Sequence, residues 1–164
     1  NLGPSGMAVV IIRKDLLGQA AAQTPLLLNY TQLDKDDSLT NTTNTFAVYV
    51  VKCMLEWLKE QGGVAAMERR NQEKAAVLYR ALDGSGFYRG FADPSCRSIM
   101  NVTFHLPTPE LEKRFAQEAL AAGLYAVEGH RAVGGMRASI YNPMPLAGVE
   151  ALVTFMREFE KKHG

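Results

Sequence analysis

The sequence predicts an α/β protein in two parts: the end of a large α/β domain over residues 1–63, then a small α+β domain over residues 64–164. Three observations lead there. Ala8-Val-Val-Ile-Ile12 is a continuous apolar run, the mark of a strand covered on both faces in an α/β sheet. From residue 64 the hydropathy pattern reads helix, strand, helix, strand, strand, helix, the order of a small layer with helices on one face. Between the two lies Gly62-Gly63, a helix stop and the expected junction.

The elements follow in chain order. The turn-forming pairs Gly3-Pro4 and Ser5-Gly6 lead into the apolar strand, so the chain opens in a loop entering mid-sheet and further sequence is expected upstream. Residues 23–44 hold Pro25, the Leu26-Leu-Leu28 patch, the charged run Asp34-Lys-Asp-Asp37 and a polar Ser/Thr/Asn tract without periodicity, which predicts a long functional or partner-binding loop. Thr43, Asn44 or Thr45 can cap a helix over 46–61, whose apolar start, Phe46-Ala-Val-Tyr-Val-Val51, predicts burial, partly against a second subunit.

The next helix places Val64, Met67, Ala75, Leu78 and Leu82 on one stripe and ends at Asp83-Gly-Ser-Gly86. Met100, Val102, Phe104 and Leu106 alternate with Asn101, Thr103 and His105, a half-buried strand. Thr108-Pro109-Glu110 caps a helix that Gly123 ends. Short strands are expected at 124–127 and 136–141, and Pro145 opens an amphipathic helix through Leu146, Val149, Leu152, Met156 and Phe159.

Composition excludes several classes. The 18 basic and 17 acidic residues are spread along the chain to a net charge of +1, with no basic footprint for nucleic acid or anionic membrane. No apolar run nears the roughly 20 residues of a membrane span, and the first residues lack signal-peptide character, so a cytoplasmic protein is expected. Cys53 and Cys96 stand far apart among neutral neighbours and read as free thiols, with no metal site. The Asn-x-Thr triplets at Asn29, Asn41 and Asn101 read as chance in such a protein.

The candidate site lies in Gly129-His-Arg-Ala-Val-Gly-Gly-Met-Arg-Ala-Ser-Ile-Tyr-Asn142. His130, Arg131 and Arg137 surround a Gly-Gly turn, and two guanidiniums with an imidazole can hold carboxylates or phosphates through paired N–H donors. In the following strand, period two sends Met136, Ala138 and Ile140 to the core, and Arg137, Ser139 and Tyr141 to the other face. A turn of solvated basic residues is the plainer alternative for the same pattern. No dinucleotide or Walker-type glycine loop, zinc spacing, nucleophile elbow or EF-hand order is present.

Taken together, Asn1-Leu-Gly-Pro-Ser-Gly6, Asp37-Ser38 to Asn41-Thr42, Trp57-Leu-Lys-Glu-Gln-Gly-Gly63, Met100-Asn-Val-Thr-Phe104 and the 129–142 stretch resemble the C-terminal half of the phosphoserine aminotransferases, class V pyridoxal-phosphate enzymes of fold type I. The resemblance implies amino transfer between glutamate and 3-phosphohydroxypyruvate in the making of serine, with a vitamin B6 precursor as a second substrate. It implies pyridoxal 5'-phosphate as cofactor and a cytosolic homodimer with active sites at the interface. Arg137 matches the arginine that binds the substrate α-carboxylate, His130 and Arg131 the pair near the substrate phosphate, and Asn41 and Thr42 the pair that reaches the cofactor phosphate across the dimer.

Three departures stand out. The family commonly has Asn-Thr-Pro-Pro-Thr where this chain reads Asn41-Thr-Thr-Asn-Thr45, and Ala where Ser5 stands. The family lysine that bonds the cofactor immediately precedes the residue matching Asn1, and none of the eight lysines here occupies that place, so no catalytic residue is expected within the chain and the chain alone is expected to be inactive. The rival readings are another fold type I enzyme, such as an alanine–glyoxylate-type aminotransferase, and a non-catalytic α+β module that binds an anion.

Overall fold

The contacts of the computed structural model, which describes residues 1–130 and 133–164, divide the chain into two units, Leu2–Glu60 and Gln61–Gly164, the latter including Asn1.

In the first unit the regular structure is helical. Asn29 ends a short 3-10 turn at Leu26–Leu28 and caps α1 (Tyr30–Lys35), its side-chain oxygen accepting from the Thr31 N–H at 3.1 Å. The expected long loop is therefore interrupted by a helix, because a capping asparagine supplies the acceptor that a free helix start lacks. The α2 helix (Thr45–Glu60) begins where Asn44 Oδ1 accepts from the Ala47 N–H at 3.1 Å. Within this unit α2 is not buried as expected: Ala47 alone is fully enclosed, and Phe46 is 71% exposed.

The apolar run at 8–12 is likewise not a strand, and Ile11 is 95% exposed. A strand needs neighbours for its backbone N–H and C=O groups, and among the described residues this unit contains no other strand to pair with it. The run is suited to burial without finding it here.

The second unit begins with α3 (Gly63–Asp83), entered through Gly62 at φ +93°. Its stripe buries Met67, Ala75, Leu78 and Leu82, while Val64, expected on the same stripe, is 73% exposed at the first turn. Then come β1 (Arg89–Gly90), β2 (Asn101–His105), α4 (Pro109–Ala121), β3 (Glu128–His130), β4 (Gly134–Ser139) and α5 (Leu146–His163). Thr108 Oγ1 accepts from the Leu111 N–H at 3.3 Å at the head of α4, where Pro109 needs no hydrogen bond of its own.

The strands form one antiparallel sheet in the order β1-β2-β4-β3. Val102 lies opposite Ala138 and Phe104 opposite Met136, and all four are buried with residues of α3, α4 and α5 on one face. The Phe115 ring of α4 sits edge-on at 5.9 Å from Phe104 and 5.1 Å from Phe159, which ties sheet, α4 and α5 into one aromatic cluster.

Residues 124–127 are not the expected strand. Ala126 has φ +57°, outside the β region, so the ladder proper starts at Glu128 and only the Arg137 N–H reaches back to the Val127 carbonyl, at 2.8 Å.

Candidate anion-binding site

Arg137 is placed by β4. Its Cα pairs with Thr103 of β2, so its side chain stands on the face away from the helices, as period two required. That face is polar. Asn101 and Ser139 pair across it, and Asn101 Oδ1 accepts from the Ser139 hydroxyl at 3.3 Å and from the Tyr141 hydroxyl at 3.1 Å. Arg137 Nε is shut off from solvent without a hydrogen-bond partner, and among the described residues no carboxylate pairs with the guanidinium. A half-buried guanidinium with an unsatisfied N–H is an incomplete arrangement that an incoming carboxylate completes.

His130 ends β3 opposite Gly134, on the strand that pairs with the one bearing Arg137. Gly134 and Gly135 have φ of +74° and +70°, so strict alternation stops there and strand parity does not say which face His130 presents. The His105 ring lies where a side chain on Gly135 would go, and its Nδ1 lies 2.9 Å from Glu112 Oε1. Arg131 lies outside the described residues.

Asn41 and Thr42 belong to the other unit. Asn41 lines a cavity of about 410 Å³ with Ser38, Asn44, Asp34, Tyr30 and Ile12; Thr42 does not. The approach to Asn41 is shaped by Asp36, whose carboxylate accepts from Gln32 Nε2 at 2.9 Å and Thr40 Oγ1 at 2.8 Å. Those bonds hold the Asp36 carboxyl below the usual carboxylate range. Asp37 and Ser38 both take positive φ, +46° and +67°, a strained conformation for residues with a Cβ. The Asn44 cap occupies one of the positions where the resembled family has proline, so this loop is fixed by a hydrogen bond at its end. Among the described residues no Lys or Arg lines the cavity. The charged side chain among its lining residues is Asp34, so its amide and hydroxyl donors serve an anion only with positive charge supplied from elsewhere.

Sequence reasoning missed Lys74. It sits on α3 at 2% exposure, and its ammonium donates to the carbonyls of Ile140 at 3.0 Å and Tyr141 at 2.7 Å. The signal was present: Asn71 and Lys74 interrupt the apolar stripe of α3 at helical spacing. Both cysteines are free, and both are exposed.

With this geometry in view, the comparisons with known proteins are consistent. The model of the class-V aminotransferase family matches residues 1–152. The chain belongs to the class-V aminotransferases, and its mixed α/β fold is that of part of their structures. It is similar to the phosphoserine aminotransferase of Bacillus circulans subsp. alkalophilus, at TM-score 0.94 and 45% identity over 100% of this chain and 46% of that one. It is also similar to the PLP-bound phosphoserine aminotransferase of Trichomonas vaginalis, at TM-score 0.90 and 36% identity over 96% of this chain and 45% of that one. A phosphoserine aminotransferase of Cytophaga hutchinsonii shares the fold, at TM-score 0.69 and 16% identity over 82% of this chain and 38% of that one. The chain spans less than half the length of each of these structures.

Proposed function

We propose that this chain is the substrate-holding part of a phosphoserine aminotransferase, which moves an amino group between glutamate and 3-phosphohydroxypyruvate in serine biosynthesis, and also acts on a vitamin B6 precursor. The observation that carries the reading is Arg137: a half-buried guanidinium with an unpartnered Nε, on the polar face of the sheet, in a chain 45% identical to the phosphoserine aminotransferase of Bacillus circulans.

Both substrates bear an α-carboxylate and differ in their second anion. Arg137 takes the shared carboxylate through a planar pair of N–H donors, which fixes the orientation of the α-carbon. His130 and Arg131 take the phosphate, the group that a substrate lacking a second anion cannot offer. Asn41 and Thr42 donate to the phosphate of the pyridoxal-phosphate cofactor from the neighbouring subunit of a homodimer. The cofactor, when bound, supplies the electron sink that lets the α-proton leave. The residues of this chain are assigned to holding substrate and cofactor phosphate, and the Schiff-base lysine is not assigned to any of its eight lysines. Among the described residues no helix is long and apolar enough to cross a membrane, and the resemblance to the family supports a cytoplasmic location.

The test is an assay of the full-length protein containing this chain, supplied with pyridoxal phosphate, glutamate and 3-phosphohydroxypyruvate. Formation of phosphoserine and 2-oxoglutarate in equal amounts is expected. Binding of substrate without product identifies a non-catalytic anion-binding module, and turnover with glyoxylate but not the phosphorylated substrate identifies another aminotransferase.

A further inference from the structure

The end of β4 is fastened from behind by a buried cation. In a regular strand successive carbonyls point to opposite edges. Here the neighbouring carbonyls of Ile140 and Tyr141 both accept from the Lys74 ammonium, at 3.0 and 2.7 Å, so the chain turns out of the sheet around that ammonium. One helical turn earlier, Asn71 Nδ2 donates to Asn142 Oδ1 at 2.9 Å, and the Asn142 N–H donates to Asn1 Oδ1 at 3.2 Å. Three consecutive residues after the strand are thereby tied to α3 or to Asn1.

Lys74 is an expensive way to fill that space. It is 2% exposed, and among the described residues no carboxylate pairs with it. Burial alone pushes its pKa down from 10.5. An apolar side chain of the same length would pack there without desolvating a charge, so packing does not account for the lysine. What the lysine adds is two donors for strand-end carbonyls, three and four residues beyond Arg137. The Tyr141 backbone that it grips also carries the hydroxyl that returns to Asn101, the residue shared with Ser139 on the Arg137 face.

We propose that Lys74 is a positioning residue for Arg137: by pinning the Ile140 and Tyr141 carbonyls to α3 it fixes the strand exit, and with it the polar face from which Arg137 grips the substrate carboxylate. The proposal rests on the reading of Arg137 as the carboxylate-binding group.

A double-mutant cycle in the full-length holoenzyme tests it. Lys74→Met is expected to raise the KM for glutamate about tenfold with kcat changed less than about threefold, because uniform binding of the carboxylate is what is lost. In an Arg137→Ala background the same change is expected to add almost nothing to KM, since the group being positioned is gone. An unchanged KM in Lys74→Met, beside a raised KM in Arg137→Ala, overturns the proposal and leaves Arg137 in place. Additive effects also overturn it, since Lys74 then acts independently of Arg137. If Arg137→Ala itself leaves KM unchanged, the underlying reading fails and the proposal goes with it. Should Lys74→Met not fold, Lys74→Gln, whose amide can still serve one carbonyl, is read through the same cycle with the same outcomes.

Discussion

The His105 ring occupies the place where a Cβ on Gly135 would go: the added atom would come within 2.7 Å of His105 Cε1 and 2.9 Å of the Phe104 carbonyl oxygen. The ring is held by Glu112, whose Oε1 lies 2.9 Å from the same Nδ1 that faces Gly135, and Phe91 lies 5.8 Å from it, centroid to centroid, so moving the ring away disturbs that contact. Gly135 therefore serves as a point of close approach as well as a turn residue.

The two glycines of the turn separate those roles. Gly134 has φ +74°, and a methyl group added to it would meet no atom within 4 Å, so Gly134→Ala should cost only backbone strain, about 1 kcal/mol. Gly135→Ala meets the same strain at φ +70° and a collision as well, and should cost roughly 2–4 kcal/mol in urea unfolding. Equal costs at the two positions would show that the His105 contact does not constrain the turn.

Tyr88 sets an alkaline limit on stability. It is 5% exposed, its hydroxyl donates to the Met156 carbonyl at 2.8 Å, and burial pushes its pKa well above 10.0. Above pH 10 the unfolded chain releases a proton that the folded protein keeps. The stabilisation is complete below the unfolded value and is lost as pH rises toward the folded one, by up to about 1.4 kcal/mol per pH unit. Tyr88→Phe should lower stability at neutral pH by about 1 kcal/mol and flatten the decline above pH 10. Denaturant midpoints of both proteins across that range check it, and parallel declines would mean that Tyr88 ionises freely.

Asn44 carries the start of α2, beside the loop that holds Asn41. Replacing it by Ala should cost about 1 kcal/mol, and Asn44→Asp should keep most of the cap. Amide hydrogen exchange at Ala47 reads the effect directly. Unchanged protection in Asn44→Ala would place the helix start elsewhere.

Local chemistry made much of the second unit legible. The stripe from Met67 to Leu82, the Thr108 cap with Pro109, and the alternation of β2 each depend on residues within a turn or a strand of one another. Elements that depend on distant partners were not. The run at 8–12 is apolar enough for a buried strand, but apolarity reports suitability for burial and not the presence of a pairing neighbour. Residues 124–127 have strand composition, and the positive φ of Ala126 could not be read from an alanine. The two-residue β1 is too short to show periodicity, and α1 owes its place to Asn29, one polar residue in a polar tract.

The candidate site divides the same way. The face of Arg137 was readable because β4 is regular from Met136 onward. The direction of His130 was not, because two glycines of positive φ intervene. The clasp from Lys74 crosses from residue 74 to residues 140 and 141, a span that local patterning does not report.

The proposed substrate chemistry rests above all on Arg137 binding the α-carboxylate common to both substrates. The most direct measurement is the KM for glutamate and for 3-phosphohydroxypyruvate in full-length Arg137→Ala holoenzyme, with cofactor loading confirmed by absorbance. Loss of a charge-assisted pair worth about 2–3 kcal/mol should raise both KM values roughly 30- to 150-fold. A rise for only one substrate, or for neither, would contradict a shared carboxylate grip at Arg137.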